Sequence, residues 1–587
     1  MLLQRLVEYA GREGVVDDRP TLYNKAPIRY IIELTPDGRP ASRRPVDTAD
    51  ATSPATRRGE PRLVPQVTRA QGIKPLLLAD NAEYTLQLAR EASRPERVAA
   101  CHRAYLELLQ RCAEVTGEPA VQAVQRFLAQ DPAGQLEFDT NYDRGASVVF
   151  RVGDVFPVDL PSVRQFWADE NDPARKSAPH MQCIVCGNVR PVLERLQGKI
   201  KGVPGGQTSG TSIISANSGA FESYGLQASL VAPTCASCGE KFTRALNALL
   251  SDRSHRLTLG NAAFIFWTRQ EVSFDFLTYM TTPDSEQVRA MLASLRSGKE
   301  SLDVDATAFY ATVLSGSGAR VVVRDWIDTT VGEAQRHLQD WFGAQEIVTP
   351  YGERPRPLGL FQLAGATVRD PSKDLTPEVP RSMVRTALTG VPLPQDLLFQ
   401  AVRRNRAEGG VTHGRAMLTK MVLVYSGRVA RGRDMVGLDE TNIDPAYRCG
   451  RLLAVLEEIQ RRAVQGVKAT VVDRYFGTAS SAPASVFGRL MRGAQPHLSK
   501  LERDRHGTYV GLQAQLEDVL SGLTTFPRTL TLTEQGLFSL GYYHQRAHNR
   551  AQAHEAIARR NAAGLVGTTI DLTVSDALDL EDRVEEN

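Results

Sequence analysis

Two Cys-x-x-Cys pairs, Cys183-Ile-Val-Cys186 and Cys235-Ala-Ser-Cys238, constrain this chain more than any other feature. Two residues between thiolates let both sulfurs reach one ion while turn amides face them, and two such knuckles close a tetrahedral site with no open position. The spacing predicts one structural zinc held by Cys183, Cys186, Cys235 and Cys238. It also requires two segments distant in sequence to meet. Reduced thiols without metal are the alternative; a redox pair is the weaker one, because two pairs are present. Only 7 cysteines in 587 residues leave no disulfide framework, and the protein reads as cytoplasmic.

A chain of this length exceeds the size at which one hydrophobic core stops growing, so two or more domains are expected. Its composition, 42% hydrophobic and 23% charged, is that of an ordinary globular protein. No apolar run approaches the ~18 residues of a membrane span. Met1–Tyr9 reads as an amphipathic helix, with Arg5 and Glu8 where a signal core would be apolar. Ile28–Leu34 reads as a strand, and 39–66, rich in Pro, Arg, Thr, Ser and Ala, as a mobile excursion. Val98–Leu128 has helical spacing with Cys101 and Cys112 in the core, and Ala319–Asp325 reads as a buried strand. Beyond Leu375 long helical patterns alternate with short Gly/Pro punctuation. The expected fold class is α+β: a mixed α/β N-terminal domain over 1–375, with an inserted zinc-binding segment at about 181–240, then an all-α helical bundle over 376–587.

Between the cysteine pairs runs Lys199-Ile-Lys201-Gly-Val-Pro-Gly205-Gly206-Gln207-Thr-Ser209-Gly210, then Ala220-Phe-Glu-Ser-Tyr-Gly225. Glycines, hydroxyls, lysines and two rings suit a loop whose backbone N–H groups approach phosphates, with aromatics for stacking. It is not a Walker A loop, and a flexible surface loop is the bland alternative. His544-Gln-Arg-Ala-His548 has metal-ligand spacing but lacks the Glu of a zinc protease; Arg546 and Arg550 beside it favour a polar or phosphate-facing surface. The net charge of +3 hides polarity, since 381–470 hold 15 Lys/Arg against 8 Asp/Glu and 571–587 hold 7 acids and one Arg. At about 100° per residue, Arg448, Arg451 and Arg462 lie within about 60° of one another. They form a basic stripe beside Leu452, Leu456 and Ile459, unless Glu458 makes it a solvated salt-bridged face. No nucleophile elbow or deaminase signature is present, and no enzyme constellation emerges.

Lys74-Pro-Leu-Leu-Leu-Ala-Asp80-Asn81-Ala-Glu-Tyr84, Lys199–Gly210, Ala220–Gly225, Ala245-Leu-Asn-Ala-Leu-Leu250, Val323-Arg-Asp-Trp326, Tyr447–Glu457, Asp473-Arg-Tyr-Phe-Gly477 and Gly541-Tyr-Tyr-His-Gln-Arg546 together resemble, in order, the large subunit of the type I-C CRISPR surveillance complex (Cascade). The stretch 39–66 departs from the resemblance. A non-enzymatic role is implied. Guide RNA would pair with the target, while this subunit recognises a short protospacer-adjacent motif in double-stranded DNA, assists duplex opening and guides the displaced single strand. The implied partners are that DNA, the guide-RNA-bearing backbone and handle-binding subunits, a small subunit and a helicase-nuclease, with no membrane. Asn81 would read a base edge, with a helix cap as its alternative. Gly205, Gly206, Gln207 and Ser209 would let the backbone approach the duplex, with Lys74, Lys199 and Lys201 on phosphates. Arg448, Arg451 and Arg462 would hold the displaced strand. The helical part is made separately in this family, and Met435 is a candidate start. Two other classes compete: a zinc-dependent nucleic-acid-processing enzyme, and a scaffold without direct DNA contact.

Overall fold

Apolar residues at positions 2, 3, 6 and 7 make Leu2–Ala10 a helix, α1, that buries Leu6 and Tyr9. The structure is a computed structural model; it describes the chain apart from residues 13–21, 54–55, 68–71, 92, 173–177, 197, 217, 273, 291–305, 354–355, 430–434, 465 and 563–587. The acidic stretch 571–587 lies outside the described residues. Two compact units divide the chain, 1–253 with 314–324, and 254–313 with 325–587.

The first unit continues with strands β1 (Tyr23–Ile28), β2 (Tyr30–Leu34), β3 (Val46–Asp47), β4 (Glu60–Pro65) and β5 (Ala79–Asn81), then helices α2 (Ala82–Thr85), α3 (Pro95–Thr116) and α4 (Pro119–Leu128). Strand β6 (Ser147–Val152) and helix α5 (Pro161–Glu170) follow. One sheet has the order β3-β2-β6-β5, with β2 parallel and β5 antiparallel to β6. The stretch 39–66 is more ordered than its composition suggests, because β4 pairs antiparallel with β1 and buries Val64. Its prolines fit a two-stranded ribbon, in which each strand keeps an edge that need not donate. A short hairpin, β7 (His180–Gln182) with β8 (Val189–Pro191), carries the first cysteine pair, and α6 (Ala236–Ser251) starts at the second.

The second unit holds a sheet of order β12-β11-β10-β9, built from β9 (Arg256–Leu259), β10 (Ala262–Thr268), β11 (Ala308–Ser317) and β12 (Arg320–Thr330), with α7 (Phe276–Thr281) between β10 and β11. The tip of the β11–β12 hairpin, 314–324, belongs to the first unit. Ala319–Asp325 was expected to be buried, yet Val323 is 40% exposed. β12 is the outer strand, and an outer strand need not be covered on both faces. A Thr330/Glu333 capping box then starts α8 (Val331–Gln345). The rest is helical: α9 (Leu360–Gly365), α10 (Pro371–Asp374), α11 (Glu378–Thr389), α12 (Gln395–Glu408), α13 (His413–Tyr425), α14 (Pro445–Ala463), α15 (Val471–Ala479), α16 (Phe487–Asp504), α17 (His506–Ser521) and α18 (Leu532–Ala562). The boundary read near 375 falls inside this unit. One core runs from Leu257, Phe264 and Phe309 through Trp341 and Met383 to Leu418 and Tyr543. The change of texture at 375 marks the end of strands, and the core continues across it. A second core lies wholly within 446–542.

Helix α14 is enclosed, with every residue from Ala446 to Glu457 buried. It meets α18 backbone to backbone: a Cβ on Gly450 would lie 2.0 Å from the Phe538 carbonyl oxygen, and one on Gly541 would lie 2.1 Å from that of Tyr447. The expected solvent-facing stripe is therefore corrected. Arg448 donates to the carbonyls of Asn442 (2.7 Å), Asp518 (3.0 Å) and Val519 (3.3 Å), the latter two in the last turn of α17, where carbonyls run out of backbone partners. Arg451, 1% exposed, bonds Gln545 Oε1 at 3.0 Å and Asp518 at 2.7 Å. A helix packed on all sides has no solvent sector for these arginines. Only Arg462 stays partly exposed, paired with Glu458 at 2.6 Å. His544 is buried, its Nδ1 against the Tyr447 hydroxyl (3.0 Å), while His548 Nε2 meets Gln552 (2.8 Å). No helix among the described residues is long and apolar enough to cross a membrane.

Gly541→Ala should destabilise the protein by at least ~1–3 kcal/mol through overpacking, although alanine favours an isolated helix by ~1 kcal/mol; urea unfolding reads the sign. Acid should destabilise the second unit as well. Burial lowers the His544 imidazole to about 3, with the Lys420 charge adding to it, and burial lowers His413 to about 4. Unfolded, both bind protons near 6.5 that the folded state refuses, so stability is full above about 6.5 and falls as pH drops toward 4. His544→Gln should shallow that slope in unfolding series between pH 7.5 and 5.

Candidate metal centre and nucleic-acid interface

The two cysteine pairs meet. Sγ atoms of Cys183, Cys186, Cys235 and Cys238 all lie within 4.8 Å of one another, the one such group of potential metal ligands found among the described residues. A tetrahedral thiolate site with ~2.3 Å bonds spaces its sulfurs by about 3.8 Å, so the cluster has the right size. Local folding explains the placement. Gly187, at φ +75°, turns the first knuckle back so that its N–H reaches the Cys183 carbonyl at 2.9 Å. Cys235 is the N-cap residue of α6, with Cys238 in its first turn. An isolated bridge between Val192 and Cys235 ties the second pair to the hairpin strand of the first. Burial pushes the Cys183 thiol up, but the amides of Cys186, Cys235 and Val185 outweigh it and lower the group to about 7. Burial raises Cys238, and its sulfur neighbours raise it further. Four thiols this close cannot all ionise unless a cation lies between them.

The same helix α6 holds the glycine-rich loop. Asn247 accepts from the Lys201 N–H at 2.8 Å and donates to the Lys199 carbonyl at 3.0 Å, so one side-chain amide grips both lysines' backbone. Ile200 and Thr211 exchange two 2.8 Å backbone bonds across the loop. The β11–β12 tip closes the other side: Gly316 N–H reaches Pro204 O at 2.7 Å, Gln207 N–H reaches Gly318 O at 3.1 Å, and Ser212 N–H reaches Ala319 O at 2.9 Å. A Cβ on Gly316 would lie 2.1 Å from the Gly206 nitrogen. Glycine is therefore needed for contact between two backbones, and the loop is a bonded element. This corrects the expected backbone grip on phosphate, because the amides of Lys201, Gly206, Gln207 and Gly210 are bonded within the protein. What the loop presents are side chains. Lys199, Lys201, Gln207 and Ser209 are exposed, with Lys199 Nζ 2.9 Å from Ser212 Oγ.

Beside them, Arg320 stacks 3.8 Å over the ring of Phe221, which is 48% exposed, and Tyr224 is 99% exposed. Asn81 and Lys74 sit elsewhere, at the β5 edge of the other sheet. Asp80 is buried and accepts the Leu76 and Asn81 N–H groups, both at 2.8 Å, which shapes the chain between Lys74 and Asn81. Asn81 caps α2, its Oδ1 accepting from the Glu83 N–H at 3.1 Å. Lys74 is exposed.

A family model for a CRISPR-associated protein, Cas_Csd1, matches residues 6–549. The chain belongs to the Cas_Csd1 family. No curated protein matches it.

In this Cas_Csd1 chain, sequence reasoning missed the hairpin tip and its two arginines, Arg320 over Phe221 and Arg324, whose Nε lies 2.8 Å from Ser315 Oγ. The signal was present as Ser315-Gly-Ser-Gly318 between two β-rich runs, a hairpin pattern. Which loop the hairpin would meet was not local information.

Cys238→Ser should release bound metal and lower the melting temperature by several degrees, read by elemental analysis and thermal unfolding. Asn247→Ala should leave the metal in place but raise hydrogen exchange at Lys199–Thr211, because it removes the clamp alone.

Proposed function

We propose that this protein is the large subunit of an RNA-guided type I-C CRISPR surveillance complex. It recognises the protospacer-adjacent motif in double-stranded DNA, assists duplex opening, stabilises the displaced single strand and docks the helicase-nuclease, without catalysis of its own. Its partners are the guide-RNA-bearing backbone and handle-binding subunits, a small subunit and the target DNA, and it works in the cytoplasm. The observation that carries this reading is the glycine loop clamped between α6 and the β11–β12 tip. A rigid backbone platform presents two lysines, Gln207 and Ser209, next to exposed rings and a stacked arginine. Cations position phosphates without reading sequence, while amide side chains read base edges.

The four-cysteine cluster fits zinc, and four thiolate ligands leave no open position for a reacting water. Zinc would supply a cross-link and charge neutralisation between the knuckle hairpin and α6. Because Asn247 stands further along α6, the centre fixes the loop's backbone at a distance. That closed donor set argues against a zinc-dependent nucleic-acid-processing enzyme. Asn81 is assigned to motif reading through Nδ2, since its Oδ1 is occupied by the cap. A side-chain NH2 that only donates suits the acceptors of a minor-groove edge.

Asn81→Asp keeps the cap and removes the donor. In the assembled complex it should relax motif preference on duplexes with permuted motifs while the melting temperature holds. Lys201→Ala should weaken binding equally for every motif and lower the salt slope by about one. Parallel losses for both variants would remove Asn81 from the reading role. Complexes whose duplex binding ignores both changes would favour the scaffold alternative.

A further inference from the structure

Leaving the first cysteine pair, the chain runs beside α6 toward the glycine loop and meets that helix once per turn. Val192 bridges Cys235 at the helix start, and the Leu193 N–H reaches the Thr234 carbonyl at 3.1 Å. One turn on, a Cβ on Gly239 would lie 2.9 Å from Leu196 Cδ2. At the next turn Gly198, at φ +94°, sits where a Cβ would lie 3.1 Å from Thr243 Cγ2. A turn further, Asn247 grips the backbone of Lys199 and Lys201. Cys235, Gly239, Thr243 and Asn247 follow i, i+4 spacing and so share one helix face. The four sulfurs stand at one end of this seam and the two exposed lysines at the other.

The cluster has one sulfur that a solute can reach. Cys186 is exposed, while Cys183, Cys235 and Cys238 are buried. A cysteine that ligates a metal is a thiolate, and oxidation of thiolates follows their exposure. Cys183 belongs to the same knuckle, and its Sγ lies within 4.8 Å of that of Cys186, which makes it the resolving thiol at hand. A disulfide draws two sulfurs to ~2.05 Å, so it cannot coexist with a tetrahedral thiolate site.

We propose that the four-cysteine centre is a peroxide-sensitive lock on the glycine loop; this deepens the zinc reading above and rests on it. The Cys186 thiolate attacks the peroxide O–O bond, takes one oxygen as a sulfenic acid and releases hydroxide. The Cys183 thiolate then attacks that sulfur, forms the S–S bond and expels the oxygen as a second hydroxide. Two thiolates are thereby oxidised by two electrons, and the peroxide is reduced by the same two. Cys235 and Cys238 remain as two ligands, too few for a structural zinc site. Loss of the ion frees the knuckle from the start of α6, and the seam opens from that end. Helix α6 itself stays, since α1 packs against it and it buries Leu246, Leu249 and Leu250. A dithiol reductant with zinc restores the lock.

The test titrates the isolated full chain, reduced and zinc-loaded, with hydrogen peroxide. A chromogenic chelator reads zinc, mass spectrometry after differential alkylation reads disulfides, and amide hydrogen exchange is measured before and after. The expected result is loss of the bound ion and a disulfide between Cys183 and Cys186. Exchange at Leu193, Ile200 and Lys201 should accelerate severalfold while that at Tyr105 on α3 holds, and dithiol with zinc should reverse every change. Asn247→Ala leaves the cysteines untouched, so it should release zinc equally, while Lys201, fast to exchange from the outset, gains nothing more. Zinc retained at peroxide levels that oxidise free glutathione in the same tube would overturn the proposal. So would zinc release that leaves exchange at Ile200 and Lys201 unaltered. Reduced protein carrying no zinc would remove the metal reading itself, and the lock with it.

Discussion

Helices α14 and α18 touch backbone to backbone at Gly450 and Gly541, and the organisation of the second unit depends on that approach. With no side chains between the two axes, the residues flanking the contact are driven to the sides of the pair, where they meet α15, α16 and α17. The polar residues that carry this load are long enough to find distant partners. Arg448 reaches carbonyls ending α17, Arg451 spans to Asp518 and Gln545, and Tyr447 meets His544. Each buried group is tolerable only while its partner is present, since an unpaired buried charge costs several kcal/mol. The network therefore ties three helices into one arrangement, and it accounts for a helix that carries arginines and yet is enclosed.

In the first unit the corresponding lever is α6. Its N-terminal end supplies two of the four clustered cysteines, and its middle supplies Asn247, which grips the backbone of Lys199 and Lys201. A metal bound at one end would thus stiffen a surface element that the metal does not touch. The hairpin tip completes the same element through Gly316 and Gly206. Loop, helix and hairpin come from three separate stretches of chain, and the exposed lysines stand where all three converge.

Charge is distributed differently from its count. Much of the local excess in 381–470 is internal: Arg448, Arg451 and the Arg404–Glu408–Arg415 group all pair within the fold. Lys420 is fully buried and donates to the Glu346 carbonyl. Others in that stretch, Arg403, Arg406, Arg428 and Lys468 among them, are exposed.

Several features were legible in the sequence because their chemistry is local. The C-x-x-C spacing determines a pair of sulfurs that can face one ion, and helical periodicity determines α1, α3 and the helices beyond 375; the loop glycines were read as approaching phosphate, whereas they make room for the hairpin-tip backbone. Ribbon pairing hid in 39–66, because prolines there conform to a two-stranded edge as readily as to a coil. Asn81 illustrates a divided case: its amide chemistry just after a short strand suggested a base-edge reader with a helix cap as the alternative, and its oxygen is occupied as the cap. Angular position on α14 grouped Arg448, Arg451 and Arg462 correctly, but a helical wheel knows nothing of how many neighbours surround the wheel. Enclosure by α15–α18 and the meeting of the hairpin tip with the loop were decided by tertiary structure alone. Each depends on contacts between residues far apart in the chain, and the free energy of such contacts is set by what packs around them, which no local pattern of residues encodes.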